Sequence, residues 1–169
     1  MKTPSQPMTE ADALRRLQSL CARSEHAEGE LMEKMRQWGI DEATQARIMQ
    51  TLTQARYVDD RRFAEAFIHD KITFNGWGRR KIAQALWAKH VDEAVYTPLL
   101  DAVDEAQYLE ALRPLVRQKY RSVKAKTEYE RAMKVIKFAV GRGFEFEEVQ
   151  KCLNEIADGT DDIDTLMDE

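Results

Sequence analysis

The chain has 169 residues, 43% hydrophobic and 33% charged, a water-soluble globular balance that excludes the membrane-spanning class. No apolar run approaches the roughly 20 residues a spanning helix needs. The polar opening Met1–Pro7 shows no secretory signal, so the expected location is the cytoplasm.

In chain order, residues 1–8 are expected to be disordered. Thr9 can cap a helix with Leu14, Leu17, Leu20 and Cys21 at helical spacing. A second helix carries Leu31, Met35 and Trp38 and stops at Gly39. Asp41 or its neighbour opens a third, through Ile48, Leu52 and Tyr57. Asp59 and Asp60 can cap a fourth, because a short carboxylate accepts bonds from the orphan N–H groups of a first turn. Phe63, Phe67 and Phe74, with Ala64, Ile68 and Ile72, fall on adjoining rails of one face and are expected inside. Gly76 and Gly78 end that helix. A fifth restarts at Arg79-Arg80-Lys81 and carries Ile82, Leu86 and Trp87 inward.

Pro98 suits the first turn of a helix capped by Thr97. Pro114 should kink or restart the helix around Tyr108 and Leu109. No segment shows sustained two-residue alternation, so the fold class is all-α.

The chain also repeats itself. Shifted by 51 residues, Asp41-Glu42-Ala43 lands on Asp92-Glu93-Ala94, and Ile48 on Leu99. Ala55 and Tyr57 likewise land on Ala106 and Tyr108, and Leu31 and Met35 on Ile82 and Leu86. A weaker third copy has Val135 and Ala139 before Gly143-Phe144, then Val149, Leu153 and Ile156. The expected organisation is three tandem three-helix repeats, residues 9–58, 59–108 and 109–157, followed by a disordered acidic tail, 158–169. One such unit has too little apolar area to stand alone, so an elongated, curved, solenoid-like array of roughly nine helices is expected.

No phosphate loop, nucleophile elbow or His-Glu-x-x-His spacing is present, which argues against an enzyme. The three histidines and two cysteines fall at no metal-ligand spacing, so neither metal nor cofactor is expected. Charge is the informative signal. The net charge of −4 conceals ten Lys/Arg against two acids between Arg113 and Arg142, a local +8. From Asp158 to Glu169 there are six acids and no base. Candidate partner-binding residues are Arg79, Arg80 and Lys81 at a helix start. A denser set adds Arg117, Lys119, Arg121, Lys124, Lys126, Arg131, Lys134, Lys137 and Arg142, with Tyr120 and Tyr129 interleaved. Val135 and Phe138 are expected inward beneath these charges.

Tyr57-Val58-Asp59-Asp60, then Phe63-Ala64, then Gly76-x-Gly78 with Ile82 and Leu86, resembles the central repeat of the RecX family. Arg23-Ser24-Glu25, Lys119-Tyr120-Arg121 and Arg142-Gly143-Phe144 extend the likeness over nearly the whole chain. His90, Ala139, Pro98, Pro114 and the acidic tail depart from the pattern. The resemblance implies a non-catalytic, monomeric regulator of recombination and the DNA-damage response. It would bind the RecA recombinase filament, inhibit its growth, ATP hydrolysis and strand exchange, and be able to touch single- or double-stranded DNA. Two other readings stay open: a direct helix-turn-helix-like DNA-binding protein, and a helical-repeat adaptor unrelated to recombination.

Overall fold

The structure is a computed structural model, and residues 7–159 are described. Among them are nine α-helices and no strands: α1 (Glu10–Arg23), α2 (Glu28–Gln37), α3 (Glu42–Gln54), α4 (Asp60–Thr73), α5 (Arg79–Ala88), α6 (Glu93–Asp101), α7 (Glu105–Ser122), α8 (Glu128–Gly141) and α9 (Phe146–Ala157). The all-helical fold class is thus observed. None of these helices is long and apolar enough to cross a membrane.

Two compact units are built from the chain. The first runs to Phe67 and includes Leu86–Leu99; the second takes Ile68–Ala85 and the chain from Leu100 on. In the first, α3 packs on α1 and α2. Ala13, Leu17, Leu31, Met35, Ile48, Met49, Leu52 and Val58 form the core. In the second, α7, α8 and α9 pack pairwise, burying Leu112, Val116, Val135, Ala139, Phe144, Val149 and Ile156.

The 51-residue correspondence reappears in the backbone. Each second helix of a three-helix repeat ends in a left-handed residue: Gly39 at φ 73°, His90 at φ 61° and Gly143 at φ 97°. The next N–H reaches back to the same carbonyl in each copy. Ile40 donates to Met35 at 3.1 Å, Val91 to Leu86 at 3.1 Å, and Phe144 to Ala139 at 3.2 Å. This is the bond of a Schellman C-cap. Asp41 and Asp92, paired by the shift, both cap a third helix. The Asp41 carboxylate accepts the Thr44 N–H at 3.1 Å, and Asp92 that of Ala94 at 2.9 Å.

Several expectations are corrected. Phe74 is 77% exposed, because α4 stops at Thr73 and the chain turns before the ring can follow the rail of Phe63. Trp87 is 72% exposed, since Ile82 and Leu86 define the buried face of α5 and the next residue points about 100° away. Tyr57 lies beyond α3, which ends at Gln54. Pro98 sits inside α6 rather than in its first turn, because Asp92 caps the helix upstream of Thr97. Pro114 neither breaks nor restarts α7, which is continuous to Ser122. The proline lies on the exposed side, opposite buried Tyr108, Leu112 and Val116, where water can serve the carbonyl it leaves unbonded.

The carboxylate pair also divides its work. Asp59 caps α4, accepting the Arg62 N–H at 3.1 Å. Asp60 instead accepts the Glu28 N–H at 2.8 Å and so caps α2 from a distant part of the chain. The disorder expected for the tail concerns residues that, from 160 on, lie outside the described ones, as do residues 1–6.

Candidate functional site

The basic residues singled out in the sequence separate into two groups. One group is occupied in holding helix ends. Arg142 donates from Nε to the Gly76 carbonyl at 3.1 Å and from Nη2 to that of Asn75, just past the end of α4. Arg131 donates from Nη1 to the carbonyls of Tyr120 at 2.5 Å and Val123 at 3.0 Å, closing the end of α7. Lys134 pairs with Glu130 at 3.1 Å and donates to the Lys124 carbonyl at 2.6 Å. Arg79 pairs with Asp101 at 2.5 Å. Positive groups at helix C-termini complement the carbonyl end of the macrodipole, so these contacts stabilise the fold directly.

A second subset rests on rings. The Lys119 ammonium lies 4.9 Å from the Phe138 ring centre, and the Arg142 guanidinium 5.7 Å from the same ring. Phe138, expected inside, is half-buried between these charges. Lys81 and Lys71 flank Trp77 at 4.5 and 4.8 Å. Arg117 is half-buried on α7.

Arg80, Arg121, Lys124, Lys126 and Lys137 are exposed, and none forms an ion pair with a described residue. Four of them gather around the turn between α7 and α8 and along α8. These are the cations available to an outside partner.

The same helix carries a feature the charge pattern hid. Tyr129, Met133 and Val140 are 76%, 46% and 38% exposed. They recur with Lys137 at three- and four-residue steps, on the face opposite buried Val135 and Ala139. In the sequence Tyr129 stands out only as an aromatic among charges; the spacing of Met133 and Val140 from it is the signal for the stripe. The acids of α8 are engaged. Glu130 accepts the Lys126 backbone N–H at 3.0 Å as well as Lys134, which holds its carboxyl below the usual range. Glu128 accepts the Tyr120 hydroxyl at 2.5 Å, which raises the phenol's pKa.

Among the described residues no group of three or more His, Cys, Asp or Glu is placed to hold a metal ion. The arrangement is that of an all-helical protein of tandem three-helix domains with a cationic, partly apolar outer face. Family models agree: residues 59–96 match "RecX, second three-helix domain" and residues 105–153 match "RecX, third three-helix domain". Regulatory protein RecX of Vibrio vulnificus is 30% identical over 138 residues, covering 82% of this chain and 88% of that protein. Regulatory protein RecX of Clostridium tetani is 28% identical over 136 residues, 79% of this chain. The chain spans 62% of that relative's length. Among solved structures, RecX from Lactobacillus salivarius superposes with a TM-score of 0.80 at 15% identity, covering 88% of this chain and 96% of that one. A second regulatory protein RecX gives 0.80 at 20% identity, covering 86% and 73%. The chain belongs to the RecX family of regulatory proteins.

Proposed function

We propose that this chain is a non-catalytic regulator that binds the RecA recombinase filament and inhibits its growth, ATP hydrolysis and strand exchange. Family membership gives the class of action. The observation that carries the contact surface is the group of exposed cations, Arg121, Lys124, Lys126 and Lys137, on the third repeat, none of which pairs with an acid among the described residues. A nucleoprotein filament offers phosphates and acidic protein surface, the chemistry that such a group recognises.

The test is a titration of recombinase ATPase on single-stranded DNA. Wild-type protein should inhibit at far less than one copy per recombinase, because one molecule bound at an end blocks extension. Reversing charge at Arg121, Lys124, Lys126 and Lys137 should weaken inhibition roughly tenfold or more while the melting curve stays unchanged. Lys119 is better left intact, since its ammonium lies over the Phe138 ring. Equal inhibition by the reversed protein would remove this surface from consideration and make Arg79-Arg80-Lys81 the next target. Direct contact with DNA is a second reading, favoured by the exposed Tyr129 ring, three residues after exposed Lys126 in the sequence. A steep fall of affinity for bare DNA with salt would support it.

A further inference from the structure

Helix α8 is apolar on two sides. Val135 and Ala139 are buried inward, while Tyr129, Met133 and Val140 are exposed and Ile136 is half-buried alongside them. Positions 129, 133, 136 and 140 are separated by steps of four, three and four residues, the spacing of the two apolar positions of a heptad. Scattered exposed apolar residues are ordinary, but a continuous stripe of them marks a place where something docks.

The spacing sets the shape of the occupant. Two helices crossing at a shallow angle meet along such a seam, each side chain entering a hole on the facing helix. An extended strand, repeating every two residues, would not follow it. Charge sets the rest. Lys137 stands at the flanking position of the seam and Lys126 just before the helix, both exposed and neither paired with an acid among the described residues. The occupant must therefore bring acids beside its apolar residues. A second copy of this chain would set these lysines against their own kind, and both acids of α8 are already engaged, Glu128 by Tyr120 and Glu130 by Lys134. A nucleic-acid strand would meet the cations, yet Met133, Ile136 and Val140 carry no ring on which a base could stack.

We propose that the outer face of α8 is a docking seam for an amphipathic, acid-flanked α-helix of a partner protein. The apolar residues of that helix pack between Tyr129, Met133, Ile136 and Val140, and its acids meet Lys126 and Lys137. That the helix belongs to the recombinase rests on the proposed function; the docking itself does not.

The probe is a synthetic peptide of about three heptads, with leucine at both apolar positions and glutamate at both flanking ones; a lysine-flanked counterpart is the control. Fluorescence anisotropy with the full chain at low salt should find the glutamate peptide bound roughly tenfold tighter than the lysine peptide. The preference should shrink at about 1 M salt, where the screening length falls to roughly 3 Å. Met133→Asp should weaken the glutamate peptide roughly tenfold. Lys126→Glu combined with Lys137→Glu should invert the preference towards the lysine peptide, a result that an unfolded variant cannot give. Equal binding of the two peptides, binding indifferent to Met133→Asp, or a preference that the charge swap leaves unchanged would overturn the proposal. A dimer in sedimentation velocity that Met133→Asp dissolves would also overturn it, giving the seam to a second copy. Binding of oligothymidine that falls with Met133→Asp would give it to nucleic acid instead.

The link to the recombinase is read separately. Saturating glutamate peptide should raise the concentration of this protein needed for half-inhibition of the recombinase ATPase roughly fivefold or more. If the peptide binds as described but leaves inhibition unchanged, the seam stands and its use against the recombinase does not. A chain that binds the peptide yet never inhibits the recombinase would remove the proposed function and leave the seam in place.

Discussion

Asp60 shows how a single carboxylate can serve two distant parts of the chain. It begins α4 yet spends its oxygen on the Glu28 N–H at the start of α2. Burial raises its pKa, helped by the nearby charges of Asp59 and Glu30, although the Glu28 bond pulls the other way. The native state therefore holds this proton more tightly than the unfolded chain does. Its contribution to stability is largest below the ordinary carboxylate pKa and declines as pH rises through the raised native value. Asp60→Ala should cost about 1 kcal/mol at neutral pH, the usual loss of a cap. Asp60→Asn keeps an acceptor without a buried charge, so urea melts should find it at least as stable as wild type at pH 7. Tyr108 behaves alike at the other end of the scale. Burial lifts its phenol to about 12, and its hydroxyl has no partner among the described residues. The unfolded chain releases that proton near 10, so stability should fall as pH rises from there towards 12. Absorbance titration at 295 nm should show a tyrosine titrating near pH 12 that disappears in Tyr108→Phe.

The ends of the helices explain what could and could not be read beforehand. Gly39 and Gly143 announce their turns, because glycine takes a left-handed backbone without strain. His90 looked like a departure, yet it adopts the same conformation at φ 61° and makes the same bond. Tertiary packing enforces there what composition does not suggest. Arg131 and Arg142 were legible as charge but not as caps, because the carbonyls they serve lie 8 to 67 residues away in sequence. The helical periodicity placed Leu31, Met35, Leu86 and Val135 in the core, where they are. It failed at Phe74 and Trp87, where a helix end and a one-residue offset decided the matter.

Gly78 carries the sharpest consequence of these packed ends. A Cβ there would stand 2.4 Å from Gly143 C and Phe144 N, both backbone atoms that cannot swing aside. The Gly78 N–H also donates to the Arg142 carbonyl at 2.9 Å. Gly78→Ala should thus destabilise by about 1–3 kcal/mol, the range of overpacking. Gly141, the last residue of α8, with open space where a Cβ would stand, should gain about 0.4–1 kcal/mol on substitution by alanine. Opposite shifts of the urea midpoint for the two variants would check both.

The middle of the chain is shared between the two compact units. The division falls at Phe67 and Ile68 in α4, at Ala85 and Leu86 in α5, and at Leu99 and Leu100 in α6. The boundaries of the two compact units therefore fall within helices. Residues 59–108 expressed alone would lack the remaining core of either unit. They should show no cooperative thermal transition by circular dichroism, while the full chain melts cooperatively.

Each unit also contains one version of the same joint. The start of α2 meets the end of α5, where a Cβ on Gly29 would stand 2.4 Å from the Lys89 carbonyl oxygen. The start of α5 meets the end of α8 through Gly78, Arg80 and Gly143. In the second joint the fastening is peptide to peptide. Genetic duplication copies a main chain intact whatever its side chains later become. A newly copied three-helix segment would arrive with one end ready to receive a neighbour and the other ready to offer itself. A protein joined in this way can lengthen by copying, and its outward residues are then at liberty to diverge towards separate tasks.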